Sequence, residues 1–419
     1  MKFNFFSSIP FWISLCAIII VVRFFDKKTS IRRYLLLVSS ILMILSIPGF
    51  APLNLVCLLI LSAFSYQVGH ILNRNMGVAS TNRRKLVSIA GIMGVLGFLA
   101  FYKYRFIQAL VLGTSSPEAN AGSRIVFMIG VSYFSFRMIH FIIESYRKKI
   151  ETSSFLDYLT YIVFFPSFIS GPINRFNPFA QQFRPPLRSR LGPDLREGGE
   201  RIVHGLFKKF VLAQVFYPHI LTTKPDILAQ TGPFGVVLGL YAYALYFYFD
   251  FAGYTDLALG CARLIGIELP ENFNNPFLKR NIRELWTNWH MSLTSWLVDY
   301  IYWPIVRRFR GLDFFRRHPV FLSNLGMIIT FIACGMWHGE SANFILWGAY
   351  HGIGIALLTI YQRQKRRVRS PFLQRYFRSR VSTAVGVLVT FNFFALGLAL
   401  FVLDLGKLQI LVRAVLSRL

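Results

Sequence analysis

The chain has 419 residues, of which 54% are hydrophobic and 43 are phenylalanine, whereas only 15% are charged. Soluble domains are about 25% charged, so this composition excludes an ordinary soluble protein and favours one with several membrane-spanning helices. The net charge of +28 does not indicate nucleic-acid binding, because Lys and Arg lie in short clusters between apolar runs. Such clusters are typical of loops that stay in the cytoplasm beside acidic lipid headgroups.

Apolar runs predict the helices of the protein, and the alternation typical of strands is missing. The runs cover residues 9–22, 34–50, 53–66, 86–102, 125–143, 202–216, 234–251, 321–337, 344–360 and 385–402. Several approach the roughly 20 residues that cross a bilayer, and the shorter ones cross at a tilt or only in part. The sequence therefore predicts an all-α polytopic membrane protein with about 10–12 transmembrane or re-entrant helices.

The predicted helices form a single integral membrane domain that covers residues 1–419. No repeat of about 20–50 residues is visible, and no polar stretch has the character of a separate soluble domain. The four cysteines lie in or beside apolar runs, without the spacing of metal ligands, at Cys16, Cys57, Cys261 and Cys334. Neither a disulfide framework nor a metal site is predicted.

Carboxylates lie at the end of the apolar run at 234–251. In "YFYFDFAGYTDLALG" they are Asp250 and Asp256, and buried carboxylates require partners. The following "PENFNNPF" predicts a polar, aromatic loop bounded by prolines. Earlier in the chain, "FFPSFISGPINRF" predicts a turn at Gly171 and Pro172.

The stretch "NIRELWTNWHMSLTSWLVDYIYWP" (281–304) predicts one helix with separate faces. At about 100° per residue, its polar stripe consists of Asn288, Ser292, Ser295 and Asp299. Trp286 and Trp289 belong to an aromatic face, and His290 lies on a third line. Two interpretations are open: an interfacial helix with tryptophans at the headgroup level, or a helix that lines a water-accessible cavity.

The stretch "GMWHGESANFILWGAYHG" (335–352) places His338 between two glycines. Ser341 is a candidate N-cap for a helix that begins at Ala342, so His338 is predicted at or near a break between two helices. An ionisable residue at such a place is a functional candidate, and a purely structural role is equally open. His351, inside the next apolar run, is expected to make a packing hydrogen bond.

Taken together and in this order, the five stretches from 164 to 352 resemble the membrane-bound O-acyltransferase (MBOAT) superfamily, in its bacterial DltB/AlgI-like branch. They are "FFPSFISGPINRF", "FDFAGYTDLALG", "LPENFNNPF", "LWTNWHMSLTSWLVDYIYWP" and "GMWHGESANFILWGAYHG". The resemblance implies a helical bundle with a central tunnel. It also implies that His338, in the WHG motif, is catalytic and that His290, in the WxxWH motif, lies across the same tunnel.

The resemblance implies an acyl thioester donor on the cytoplasmic side, either acyl-carrier phosphopantetheine or acyl-CoA, and no tightly bound cofactor. The acceptor is a hydroxyl of an envelope polysaccharide, a teichoic acid or a periplasmic relay protein, outside the bacterial cytoplasmic membrane. The motifs also supply candidates for lining the tunnel: Trp286, Trp289, Asn288, Ser292, Asp299, Trp337 and Asn343. The branch usually has Arg-Asp-Tyr after WxxWH, whereas this chain has Val298-Asp299-Tyr300. "PENFNNPF" with "HMSL" resembles the D-alanyl branch and "ILWGAYHG" the acetyl branch, which leaves D-alanyl and acetyl both open.

Two rival functions remain open at this point. One is a non-catalytic acyl conduit that serves a separate periplasmic or extracellular transferase. The other is a proton-coupled transporter that uses His338 and the carboxylates as a relay, although no inverted repeat is visible in the hydropathy. A direct histidine-assisted transfer is chemically reasonable, since an imidazole accepts a proton near neutral pH.

Overall fold

The computed structural model describes residues 5–25, 28–73, 81–112, 128–151, 154–182, 190–222, 224, 227 and 230–418. The start of the predicted run 125–143 and residues 183–189 of the motif-bearing core lie outside these ranges. In the described part every regular element is a helix, and extended pairing is limited to one isolated bridge between Phe273 and Trp289. The prediction of an all-α protein is confirmed.

Six of the described helices are long and apolar enough to cross a membrane, which confirms a polytopic membrane protein. They are Pro52–Asn73, Asn82–Lys103, Pro233–Ile265, Pro319–His338, Ala342–Arg367 and Arg380–Val402. A further apolar helix, Ile9–Phe24, is shorter. The expected 10–12 included re-entrant helices, so that count and the central tunnel stay predictions.

Contacts divide the chain into two compact units. The first unit contains Met1–Leu206 and Tyr254–Pro270, and the second contains Phe207–Gly253 and Glu271–Leu419. The expectation of a single domain stays a prediction.

The first unit consists of helices of mixed length. They are α1 (Ile9–Phe24), α2 (Thr29–Leu45), α3 (Pro52–Asn73), α4 (Thr81–Lys103), α5 (Arg105–Leu112), α6 (Val131–Tyr146), α7 (Phe155–Val163), α8 (Phe165–Phe168), α9 (Phe176–Gln181) and α10 (Leu191–Phe207). The fully buried Arg137 of α6 donates to the carbonyls of Tyr161 and Ile162 at the end of α7, at 3.0 and 3.1 Å. These carbonyls have no partner inside α7, so Arg137 stabilises the end of this helix.

The second unit carries the motifs with candidate chemistry. Its helices are α11 (Ala213–Phe216), α13 (Ile282–Thr287), α14 (Met291–Leu297), α15 (Trp303–Phe309), α16 (Asp313–Arg317), α17 (Pro319–His338), α18 (Ala342–Arg367), α19 (Pro371–Arg378), α20 (Arg380–Val402) and α21 (Leu405–Leu416), with π-helical turns at Lys208–Leu212 and Val298–Tyr302. Between α11 and α13 in sequence runs α12 (Pro233–Ile265), which both units share.

Helix α12 is longer than the apolar run predicted. Its 33 residues continue past position 251 through both carboxylates. Within the second unit Asp250 pairs with Lys209. Within the first, Asp256 pairs with Arg201 at 2.6 Å. These ion pairs supply the partners expected for the carboxylates, and they allow the helix to continue through charged positions.

Helices α17 and α18 form an antiparallel hairpin whose backbones approach closely through glycines. A Cβ added at Gly335 would lie 2.1 Å from the carbonyl oxygen of Phe344, and one at Gly348 would lie 2.3 Å from that of Phe331. Only glycine fits such a contact. The close packing expected at Gly335 is confirmed, and it fixes the position of His338 at the end of α17.

Candidate active site

The junction between α17 and α18 holds His338. Helix α17 ends at His338, Gly339 is extended at φ −179°, and α18 begins at Ala342 with Ser341 at its N-cap position. The predicted break and helix start are confirmed. The Ser341 side chain makes no capping hydrogen bond, however, and its carbonyl accepts from the N–H of Phe344 at 3.0 Å instead.

Aromatic rings surround the half-buried imidazole of His338. Its centroid lies 4.9 Å from that of Phe401, 5.2 Å from that of Trp347 and 4.6 Å from that of Trp337, each pair in an edge-to-face arrangement. Helices α17, α18 and α20 contribute these rings, so three spans position the side chain. Rigid aromatic neighbours limit its rotamers while leaving part of the imidazole accessible.

The stretch 281–304 does not form the single helix that its periodicity predicts. Helix α13 ends at Thr287, His290 adopts a left-handed conformation at φ +43°, and α14 starts at Met291. The polar stripe is therefore wrong as a feature of one continuous helix. Asn288 lies before the break, Ser292 after it, and Asp299 in the π-helical turn that follows α14.

Asn272, in the loop "PENFNNPF", holds this break in place. Its side-chain oxygen accepts from the hydroxyl of Ser292 at 2.6 Å and from the N–H of Ser292 at 3.3 Å. Its carbonyl accepts from the N–H of Met291 at 2.9 Å. No motif in the sequence predicted a role for Asn272. The one available signal was an asparagine, fully buried here, in a proline-bounded loop upstream of the WxxWH motif.

His290 is 5% exposed, and the edge-to-face contact of its ring with Phe251 joins centroids 4.8 Å apart. It lies outside the six candidate spans, and burial lowers its pKa to about 3. The imidazole is therefore neutral at ordinary pH. A series of ring contacts runs from His290 through Phe251, Phe247 and Phe401 to His338. The ring centroids of Phe251 and Phe247 are 6.3 Å apart, and those of Phe247 and Phe401 are 6.0 Å apart.

The two motif tryptophans are packing residues in the structure. Trp289 is 4% exposed, and its ring centroid lies 5.1 Å from that of Phe273 and 5.0 Å from that of Phe394. Trp286 is 7% exposed, and its ring centroid lies 5.0 Å from that of His351. Both rings are enclosed by aromatic neighbours, which supports the loop and α13. Their role in lining a tunnel stays a prediction.

The polar candidates fall into different environments. The amide of Asn288 donates to the carbonyl of Glu284 at 2.8 Å and to the hydroxyl of Thr287 at 3.3 Å, so it caps the end of α13. Asn343, in the first turn of α18, is buried and donates to the carbonyl of Leu400 at 2.9 Å. The side-chain oxygen of Asn343 has no hydrogen-bond partner in the part of the chain that the structure describes.

His351 contradicts the expectation of a packing hydrogen bond. Its ring is fully buried between Trp286 and Trp347, at centroid distances of 5.0 and 4.9 Å. Neither ring nitrogen has a hydrogen-bond partner among the described residues. The surroundings are aromatic and close: a Cβ at Gly397 would lie 2.7 Å from Nε2 of His351. The physical reason is that Trp286 and Trp347 pack edge to face on the imidazole, and their own indole Nε1 atoms also have no hydrogen-bond partner among the described residues.

Comparison with known proteins places this arrangement in a family. The model of "MBOAT, membrane-bound O-acyltransferase family" matches residues 53–403, which is well over half of the chain. The chain belongs to the membrane-bound O-acyltransferase family. The resemblance inferred from the five stretches is confirmed, and the chain is an O-acyltransferase with several membrane-spanning helices.

Relatives of this acyltransferase have different named activities. The teichoic acid D-alanyltransferase of Streptococcus thermophilus is 32% identical over 311 residues, covering 72% of this chain and 75% of that protein. The probable alginate O-acetylase AlgI of Azotobacter vinelandii is 30% identical, covering 71% and 58%. The peptidoglycan O-acetyltransferase of Helicobacter pylori is 26% identical, covering 76% and 62%. These relatives include D-alanyl and acetyl transferases. The comparisons therefore identify the acyltransferase family but not the acyl group that this chain transfers.

Proposed function

We propose that this acyltransferase moves a D-alanyl or acetyl group from a cytoplasmic thioester onto a hydroxyl outside the bacterial cytoplasmic membrane. The observation that carries the proposal is the half-buried imidazole of His338, held by aromatic rings where a membrane span ends. A base at such a junction can contact a substrate while the helix holds its backbone in place. The named activities of the relatives supply the two acyl groups.

His338 acts as the general base in this proposal. As the acceptor oxygen attacks the thioester carbonyl carbon, its O–H proton passes to the imidazole of His338. The tetrahedral intermediate then collapses: the C–S bond breaks, and the leaving sulfur takes the proton from the imidazolium. An ester and a free thiol result, so no Ser or Cys nucleophile is required and the imidazole returns to its neutral form.

The oxyanion of the intermediate requires hydrogen-bond donors. Both amide hydrogens of Asn288, a predicted tunnel-lining residue, are already used at the end of α13. We therefore favour the backbone N–H groups of Ala342 and Asn343 at the start of α18, because the N–H of Phe344 already donates to the carbonyl of Ser341. The N-terminus of a helix favours negative charge, and preorganised backbone donors stabilise an oxyanion without rearrangement.

His290 is a positioning residue in the same proposal. Because burial lowers its pKa to about 3, it stays neutral while His338 gains and loses a proton. A neutral imidazole offers one N–H donor and one acceptor, which suits orientation of the acceptor hydroxyl. The hydrogen bonds of Asn272 to the start of α14 keep this imidazole at a fixed place.

A transfer assay with the purified protein tests the function. Labelled D-alanyl and acetyl thioesters, carried on phosphopantetheine protein or on coenzyme A, are supplied to the inside of proteoliposomes, and a soluble polyol outside serves as acceptor. Labelled ester outside supports the proposal, and the productive thioester identifies the acyl group. Label that crosses without forming an ester would identify a conduit. Proton-driven uptake without any thioester would identify a transporter.

The donor side has a separate test. Arg307, Arg308 and Arg310 are exposed in and after α15, so an acidic carrier protein would associate faster with this surface at low salt. Changing all three to Glu should weaken carrier binding at least tenfold. The control changes three other exposed arginines to Glu: Arg363, Arg367 and Arg369. If the two variants bind the carrier protein with the same affinity, the surface at Arg307, Arg308 and Arg310 is not the docking site. The carrier then docks elsewhere, or the donor is a small thioester.

A further inference from the structure

A cavity of about 950 Å³ lies in the second unit, where two membrane spans end. Its walls come from the last turns of α18, from α19, from the first turns of α20 and from residues 280–284 at the start of α13. Because α18 and α20 are candidate spans, their adjoining ends lie at the level of the lipid headgroups. The basic run 363–380 connects them, and positive loops stay on the cytoplasmic side.

The polar part of the cavity is cationic. Arg280, Lys365, Arg366 and Arg378 line it, and the one carboxylate among the lining residues is Glu284. Glu284 pairs with Arg280 at 2.9 Å. The other three cations form no ion pair with a carboxylate in the described ranges. The cavity therefore presents three positive charges that a ligand can neutralise.

One of these cations is held in place. Nζ of Lys365 stands 4.3 Å from the centroid of Phe377, over its ring. A cation–π contact restrains the ammonium group at the cavity wall while leaving its other side open to an anion. Lys365 belongs to α18 and Phe377 to α19, so the contact also fixes the short helix against the span.

The remaining wall of the cavity is apolar. Leu357, Val385 and Val389 line the cavity and are 60%, 43% and 62% exposed on candidate spans. In a bilayer such exposed side chains face acyl chains. A ligand that covers both walls has an anionic head and a hydrocarbon tail. A water-soluble phosphate would leave the apolar wall uncovered.

We propose that this cavity binds one acidic phospholipid of the surrounding membrane. Its headgroup phosphate contacts Lys365, Arg366 and Arg378, and its acyl chains lie along α18 and α20. Basic pockets between membrane helices bind such headgroups by the same chemistry. The lipid would lie beside the segment before α13, because Arg280 lines the cavity and the backbone of Gly386 packs against its carbonyl, where an added Cβ would come within 2.6 Å.

Retention and rebinding of lipid test the proposal. The pocket variant changes Lys365, Arg366 and Arg378 to Gln. The matched control, with the same loss of charge on the same helices, changes Arg363, Arg367 and Arg375, which do not line the cavity. Phosphatidylglycerol and phosphatidylcholine are added separately to delipidated protein and counted by native mass spectrometry.

Wild-type protein and the control should each bind one molecule of phosphatidylglycerol. Neither protein should bind phosphatidylcholine at this site. The pocket variant should bind it roughly a hundredfold more weakly, because each cation near an acidic lipid contributes about a factor of five. Val385→Trp, which fills the apolar wall and keeps every charge, should also weaken binding. Equal loss in the pocket variant and the control would show unspecific charge attraction. Displacement of the lipid by coenzyme A would assign the cations to a soluble phosphate. Either result would overturn the proposal.

Discussion

His338 and His351 both contact Trp347, at centroid distances of 5.2 and 4.9 Å, yet their surroundings differ. His338 ends α17 at a helix break and is half-buried. His351 lies inside α18, fully buried, with neither ring nitrogen bonded to a described residue. The same side chain is thus accessible for proton transfer in one place and enclosed by rings in the other. The sequence already placed His338 at a helix break and His351 inside an apolar run, and the structure adds the difference in their accessibility.

The largest expected effect is on catalysis at His338. Both His338→Ala and His338→Gln should reduce acyl transfer by about 10²–10⁴, because neither side chain accepts the hydroxyl proton. Expression and insertion should be unchanged, since glycine contacts rather than the imidazole hold the α17–α18 hairpin. Transfer is measured in membrane vesicles at matched protein amounts. Near-normal transfer by either variant would remove the distinction between the two histidines.

The second effect concerns His290, which should matter less than His338. His290→Asn should lower transfer by about tenfold to a hundredfold, because orientation of the acceptor is lost while the base remains. Asparagine tolerates the left-handed conformation seen at φ +43°, so the turn itself is preserved. His290→Ala serves as the comparison, since it adds a backbone cost. If the asparagine variant loses as much activity as His338→Ala, His290 would share the proton transfer.

The third effect tests the loop that holds His290. Asn272→Ala removes both hydrogen bonds to Ser292 and leaves its buried hydroxyl without that acceptor, at a cost of about 1–3 kcal/mol. Transfer should fall roughly tenfold, and the unfolding temperature should fall as well. Asn274→Ala is the matched control, because the bond of Asn274 to Asn288 uses its backbone N–H. The same loss in both variants would exclude a specific role for Asn272.

The smallest effect is expected at His351. His351→Leu introduces an apolar side chain of similar size and removes two ring nitrogens that bond to no described residue. The free energy of unfolding should therefore change by less than about 1 kcal/mol, and transfer should stay near the wild-type rate. Thermal unfolding in detergent provides the stability measurement. A loss of several kcal/mol would show that the imidazole holds a hydrogen bond essential for folding.

The sequence predicted the α17–α18 junction well, because glycines and a serine give local signals for a break and a helix start. It predicted the extent of α12 poorly. The apolar run stops near Asp250, and the ion pairs that let the helix continue come from Lys209 and Arg201, far away in the chain. Helix limits that depend on distant partners leave no periodic signal.

The break at His290 was missed for a similar reason. Helical periodicity continues through residues 281–304, and a left-handed conformation is uncommon for a residue other than glycine. The conformation is imposed by Asn272, eighteen residues upstream, through bonds to Met291 and Ser292. A pattern along one segment does not reveal hydrogen bonds to another, so this part of the site required the structure.

The pH dependence of a single turnover tests the central claim, that His338 is the base, most directly. Purified wild type, His351→Leu and His338→Gln are mixed with labelled thioester and acceptor between about pH 5 and 8, with hydrolysis of the thioester subtracted. His290, with its pKa lowered to about 3, stays neutral across this range and contributes no titration. The account predicts that wild type and His351→Leu slow together in acid, while the residual rate of His338→Gln is independent of pH. The same acid-dependent loss in His338→Gln would contradict it, because the titrating base would then be another group.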